Sequence, residues 1–286
     1  MNNKTILPYR LGLPAWAYPA WKNTYFSDRP SMLNSYAQVF NAVEGNTTFY
    51  GIPDQKKVAE WQAAVHGQDF HFCLKLPKTI SHQRQLNTHQ INIFLKAIEP
   101  LRPHLGPLLI QLPDYVGPQQ LGFIKRLLHQ LPHDLPQVIE FRHPKFFIQP
   151  ELLESVFEQF SCGRVILDTR PIYRGDRYHP EVLSGKHQKP DLPIIPHIYN
   201  DLVYVRLVLH PLPEYNQRYI QQWTSRVASY LQSGQQVYFM IHCPNNLHCP
   251  PFAEDFHQQL MEKHQQAMPA MPALPAWPIP QQQKLI

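Results

Sequence analysis

Glu44, Lys75, Gln111, Glu140, Asp168, Arg206 and His242 each close, or fall just beyond, a short apolar run in a chain of 286 residues. Asn46, Arg142, His143, His210 and Asn245 follow within a few positions of the same runs. Carboxylates, amines, guanidinium groups and imidazoles recurring at such ends invite two chemistries. In the first, Glu44 and Glu140 act as general acid and base while Lys75, Arg142 and Arg206 stabilise negative charge on a phosphate or enolate. In the second, Glu44, Glu140, Asp168 and His242 hold a divalent metal such as Mg, Mn or Zn. Three cations in the same mouth disfavour the metal, so no metal or other cofactor is expected, with a divalent ion as the alternative. Asp168 joins Glu44, Glu140 and Lys75 as a catalytic candidate. Asn46, Gln111, Arg142, His143, Arg206 and His242 are candidates for holding substrate.

The runs themselves read as strands. They are Ile6–Leu13, Phe40–Glu44, Phe70–Leu76, Leu108–Leu112, Val138–Phe141, Arg164–Asp168, Leu202–Leu207 and Val237–His242. Between them apolar residues recur at helical spacing, as in Val58, Trp61 and Val65 after Asp54, and Tyr219, Trp223, Val227 and Tyr230 before Gly234. Strands apolar on both faces, alternating with helices, predict a parallel sheet buried under helices, and eight units predict an α/β (β/α)8 TIM barrel. In that fold reacting groups stand at the carboxyl ends of strands. Period-two alternation puts Glu140 and Arg142 on one side of the fifth strand and Glu44 on the same side as Ala42.

Two segments depart from the rhythm. Between Asp168 and Leu202 the sixth helix is replaced by an irregular stretch with Pro171, Pro180, Pro190, Pro193 and Pro196 and the basic residues Arg170, Arg174, Arg177, Lys186 and Lys189, the composition of a lid or binding loop. After the first strand come Trp16, Tyr18, Trp21, Tyr25 and Phe26, which at a barrel mouth would stack on a base or sugar ring, with Trp16 the candidate site residue. The pairs His242-Cys243 and His248-Cys249 do not match a zinc-site spacing.

Composition bounds the rest. The chain is 43% hydrophobic, enough to fill a core, and its formal charge of +5 favours anionic partners without the lopsidedness of a dedicated nucleic-acid binder. Four cysteines without paired spacing suit a reducing compartment, and neither a leader pattern nor a membrane span is evident, so the cytoplasm is expected and a membrane is not. Residues 1–265 read as one barrel domain. Residues 266–286 read as a proline-rich tail, extended or disordered. Its end, Gln282 with Leu285 and Ile286, resembles short peptides that dock bacterial sliding clamps, a weak expectation against a frayed terminus.

The segments LGLPAWAYPAWKNTYF (11–26), VEGNTTFY (43–50), FCLKLP (72–77), ISH (80–82), LLIQLP (108–113), EFRHPKFF (140–147), VILDTRP (165–171), YVRL (204–207) and FMIHCPNN (239–246) together resemble the YecE-like family, domain of unknown function seventy-two. The resemblance implies a cytoplasmic bacterial (β/α)8 barrel. It points to Glu44, Asn46, Lys75, His82, Gln111, Glu140, Arg142, His143 and Asp168 as motif positions, and it supplies no activity. Phe146 and Phe147 stand where many members carry Trp, and Leu-Val-Leu-His follows Arg206 where many carry His-Gly, which weakens His210 as a site residue. The expectation from residues and resemblance together is an enzyme, a hydrolase or lyase if one, acting on an anionic substrate that bears phosphate and is a small molecule or nucleic acid. The alternatives are a non-catalytic nucleic-acid or protein binding module and a metal-dependent hydrolase or sugar isomerase.

Overall fold

Why the strands take their places is visible in the side chains on either side of each one. The computed structural model describes residues 9–264. Among them lie eight strands: β1 (Tyr9–Gly12), β2 (Ala42–Gly45), β3 (His71–Leu74), β4 (Leu108–Gln111), β5 (Gln137–Glu140), β6 (Cys162–Asp168), β7 (Leu202–Val208) and β8 (Gln236–His242). Every pairing is parallel, in a six-stranded sheet ordered β1-β8-β7-β6-β5-β4 and a pair β2-β3. Alternate residues separate two cores. Ala42, Cys73, Leu109, Val138, Val165, Tyr204 and Met240 cluster on the concave face, while a larger set including Val43, Phe72, Ile110, Ile139 and Trp223 packs between strands and helices. The chain is thus an α/β fold with a curled parallel sheet.

Continuous ladders are missing at two seams. Between β3 and β4 the backbone contacts thin to the bridges Phe72–Leu105 and Lys75–Leu109, with Leu76 N–H donating to the Leu109 carbonyl at 2.9 Å. Between β1 and β2 side chains replace the ladder. Asn41 Oδ1 accepts from Leu11 N–H at 2.8 Å and its Nδ2 donates to the Tyr9 carbonyl at 3.0 Å. The Tyr36 hydroxyl accepts from Leu13 N–H and donates to the Ala42 carbonyl, both at 2.9 Å. Each buried backbone group keeps a partner, as burial requires. Gly12 fits here because a Cβ would fall 2.5 Å from the Ala42 carbonyl oxygen. The strands and their parallel direction agree with the sequence reading, and their hydrogen-bonded ladder is an open, curled sheet with a separate β2-β3 pair.

Helix ends follow the sequence signals. Ser31, Asp54 and Asn87 side chains accept from the backbone N–H three residues on, and Gly67 and Gly234 take positive φ of 75° and 80° where helices stop. In place of a long sixth helix stand short helices Arg170–Arg174 and Pro180–Gly185, a 3-10 turn Lys186–Gln188 and a stretch without regular structure to β7, so the segment is less irregular than its prolines suggest. No helix among the described residues is long and apolar enough to cross a membrane. Ile6–Pro8 of the expected first strand, the 266–286 tail and its Leu285 and Ile286 lie outside the described residues.

Candidate functional site

Parity along the strands decides which polar ends meet. Each concave-face residue is followed two positions later by a group that turns to the same side: Ala42 by Glu44, Cys73 by Lys75, Leu109 by Gln111, Val138 by Glu140, Tyr204 by Arg206 and Met240 by His242. Val165 is followed by Leu167, so Asp168 points the other way. There it accepts from Trp223 Nε1 at 2.7 Å and from Arg170 Nε and Nη2 at 3.0 and 2.9 Å, fully buried in the helix layer. Asp168 is thus a packing carboxylate rather than a catalytic candidate.

At the centre Arg206 lies between two carboxylates. Its Nε and Nη2 donate to Glu44 Oε2 and Oε1, both at 2.8 Å, and its Nη1 donates to Glu140 Oε2. Glu44 also accepts from Asn46 Nδ2 at 2.8 Å, and Glu140 from Arg142 Nε at 2.7 Å. Burial by itself raises the Glu44 carboxyl, but Arg206 and His242 overcome it and hold the group well below the usual range. Glu140 is pushed up by burial and down more strongly by Arg206, Arg142 and Lys75, to about 2. Both are permanent anions near neutrality. Each of the two carboxyls expected as acid and base is engaged by an arginine, which favours its charged form over a proton donor.

The nitrogen bases of the mouth are shifted downward by the same burial and by their cationic neighbours. Lys75 is 7% exposed, its Nζ lies 4.1 Å over the Phe49 ring, and burial with the nearby Arg206 lowers it to about 7. His82, edge-on to Phe49 with Nδ1 2.9 Å from Ser81 Oγ, is lowered by burial and by Lys75 to about 4. Burial and Lys189 lower His242 to about 3. With Nδ1 of that neutral ring 3.3 Å from Lys189 Nζ, the hydrogen-bond pattern puts the proton on Nε2. Nε2 lies 3.4 Å from Glu44 Oε2 without a formed hydrogen bond. Lys189 itself, brought in by the proline-rich segment, falls to about 8 through burial and Arg206.

These groups line a cleft of about 600 Å³, together with Asn46, Gln111, Arg142 and, at its lip, Lys78 and Tyr50. Two carboxylates therefore face Lys75, Lys78, Arg142, Lys189 and Arg206, a positive surplus in a partly dry site. Sequence reasoning noted Lys189 only as one base of a basic loop, and it missed Lys78, Phe49 and Tyr50. Lys78 and Phe49 had a local signal, since each follows a site residue by three positions. Lys189 had none, because its arrival depends on the path of the loop.

Other expected members are elsewhere. Trp16 is 8% exposed and packs edge-on against Trp61 and Phe72 at 5.1 and 5.9 Å, and Trp21 is buried with Nε1 donating to the Asn246 carbonyl. Trp16, Trp21 and Phe26 thus sit in the core rather than on the expected stacking surface, while Tyr18 and Tyr25 are half-buried against it. His143 stands beside the cleft, its ring against Gly117 and its Nδ1 accepting from Lys145 N–H at 3.2 Å. His210 is buried and fixes two loops through Leu212 N–H and the Asp176 carbonyl. Asn245 and His248 both hold Glu181 of the proline-rich segment, at 2.7 and 3.1 Å. Among the described residues no group of three or more His, Cys, Asp and Glu is arranged to hold a metal ion. Asp168 turns away from Glu44, Glu140 and His242, and Arg206 fills the space between the two glutamates.

The model of the family described as "Protein of unknown function DUF72" matches residues 10–277. The UPF0759 protein YecE of Escherichia coli strain K12 is 31% identical over 255 residues, covering 87% of this chain and 92% of its own. A DUF72 family protein from Enterococcus faecalis superposes with a TM-score of 0.67 at 20% identity, over 93% of this chain and 98% of that one. Another from Thermotoga maritima gives 0.64 at 17%, over 88% and 98%. These two share the fold, and the family match spans the strands that carry Glu44, Lys75, Glu140 and Arg206: the chain belongs to the DUF72 family.

Proposed function

We propose that this protein is a (β/α)8 barrel enzyme that binds a phosphate-bearing anion in the cleft over its strand ends. The observation that carries the reading is the set of cations Lys75, Lys78, Arg142 and Lys189 lining one cleft in which both carboxylates are already paired. Arg206 neutralises part of the glutamate charge, and the remaining cations are left to meet an anion from outside. Lys75, lowered to about 7, exchanges protons with the bound substrate, the neutral rings of His82 and His242 offer it hydrogen bonds, and Glu44 and Glu140 orient Arg206 and Arg142. Closure of the barrel is supported by the side-chain links of Asn41 and Tyr36 on one edge of the β2-β3 pair and by the Lys75–Leu109 bridge on the other. Four free, buried cysteines fit a reducing cytoplasm. Nucleic acid is the less favoured source of phosphate, because the aromatic loop that would stack on bases is packed in the core.

Titration calorimetry with inorganic phosphate, a sugar phosphate and the matching neutral sugar tests the reading. The phosphates bind with an affinity that falls as salt rises, and Arg142→Met weakens them by about tenfold or more, the scale of one charge-assisted contact. Equal binding of the neutral sugar, or no binding of any phosphate, sinks the assignment.

A further inference from the structure

Of the cations lining the cleft, Arg142 and Arg206 are paired with carboxylates, and among the lysines, which are not, Lys75 is the one that is buried. Among the described residues no carboxylate lies within ion-pair distance of its Nζ, although two lie in the same mouth: Arg206 takes both, with Asn46 and Arg142 completing them. Its Nζ lies over the face of the Phe49 ring, 4.1 Å from the centroid. The amine thus stands on the concave face, 7% exposed, with a ring on one side and the open cleft of about 600 Å³ on the other. Lys78, by contrast, is exposed at the lip.

We propose that Lys75 is a nucleophile that condenses with the carbonyl of a small phosphate-bearing aldehyde or ketone to form an imine in this cleft. The inference rests on the anion-site reading and names the substrate class of that site. An amine acts this way when it is desolvated beside other cations, because its free-base form is then abundant. Burial and Arg206 place Lys75 at about 7, in agreement. The nitrogen lone pair attacks the carbonyl carbon, and the carbonyl electron pair moves to oxygen, which takes a proton to give a carbinolamine. The nitrogen pair then forms the C=N bond as the C–O bond breaks, and the oxygen leaves as water. Amine and carbonyl become imine and water with no change of oxidation state. Once protonated the imine carries the positive charge that the lysine otherwise would, facing the same Glu140 and Glu44 that pull on the amine. Arg142, Lys78 and Lys189 hold the phosphate.

The test treats the full chain with pyridoxal 5′-phosphate, reduces with borohydride and locates adducts by peptide mass. Lys75 is expected to carry the reduced phosphopyridoxyl group ahead of exposed Lys56 and Lys57, with inorganic phosphate protecting it and unphosphorylated pyridoxal labelling it at least tenfold more slowly. Lys75→Arg keeps the charge and is expected to bind phosphate but to lose this adduct. Phosphate binding with no preference for Lys75 overturns the imine and leaves the anion site standing. Loss of phosphate binding in the unmodified chain overturns both.

Discussion

Replacing Arg206 by Met removes the one group that neutralises two buried carboxylates at once, and the consequences are unequal. Glu140 keeps Arg142 at 2.7 Å and the nearby Lys75. Glu44 keeps no cation in contact, only the Asn46 amide at 2.8 Å, the Tyr204 hydroxyl at 3.4 Å and the neutral His242 ring at 3.4 Å. Removing one partner of a buried ion pair costs ~3–5 kcal/mol because the other charge is stranded. In the native chain Glu44 is held below its ordinary value of 4.5, so its stabilising contribution is complete above that pH and is lost only as pH falls through the depressed folded value. In the variant, burial is left to act and raises Glu44 above 4.5. The deficit therefore grows as pH climbs from 4.5 through the raised value, and it is smallest in acid. Calorimetric melting from pH 4.5 to 8 is the assay. A fall in Tm on the order of 10 °C is expected at pH 7.5, with most of it recovered near pH 4.5, since each kcal/mol shifts Tm by roughly 2–4 °C in a domain of this size. The double change Arg206→Met with Glu44→Gln, which leaves no stranded charge, is expected to regain most of the loss. A loss that is the same at both pH values, or a double variant no more stable than the single, refutes the account of Glu44 as the stranded partner.

Asp168→Asn removes the charge that meets Arg170 and leaves one amide to meet Trp223 and Arg170. It lowers stability by about 2–4 kcal/mol in urea titration while phosphate affinity stays within about twofold, since the group faces the helix layer. Tyr36→Phe strips the seam of its hydroxyl and strands Leu13 N–H and the Ala42 carbonyl, for a loss of about 2–3 kcal/mol in the same measurement. Trp16→Ala opens the packing against Trp61 and Phe72 and costs about 3–5 kcal/mol, again with phosphate binding unchanged.

Much of this molecule is legible in the linear chain. Short runs of strand-forming residues with a polar group near the end identify the strands, and the period of two already sorts Glu44, Lys75, Gln111, Glu140, Arg206 and His242 onto one face. The same count applied to β6, from Val165 through Leu167, turns Asp168 outward. What misled there was a motif and a polar strand end taken without their parity. Trp16 and its neighbours misled differently, because an aromatic-rich loop is equally suited to a mouth and to a core, and only packing against Trp61 and Phe72 chooses.

Sequence alone determined the alternation of strands and helices and the identity of most groups in the mouth, because both are written in local periodicity. Only the tertiary structure decided how those groups use one another. Arg206 meets Glu44 across 162 residues and Glu140 across 66, which leaves Lys75 without a carboxylate. Lys189 meets His242 across 53 through a loop whose path no local pattern encodes. Charge pairing falls off with distance in space and takes no account of distance along the chain. Which carboxylates are paired with an arginine, and which lysines are left without one, was therefore settled when the sheet curled.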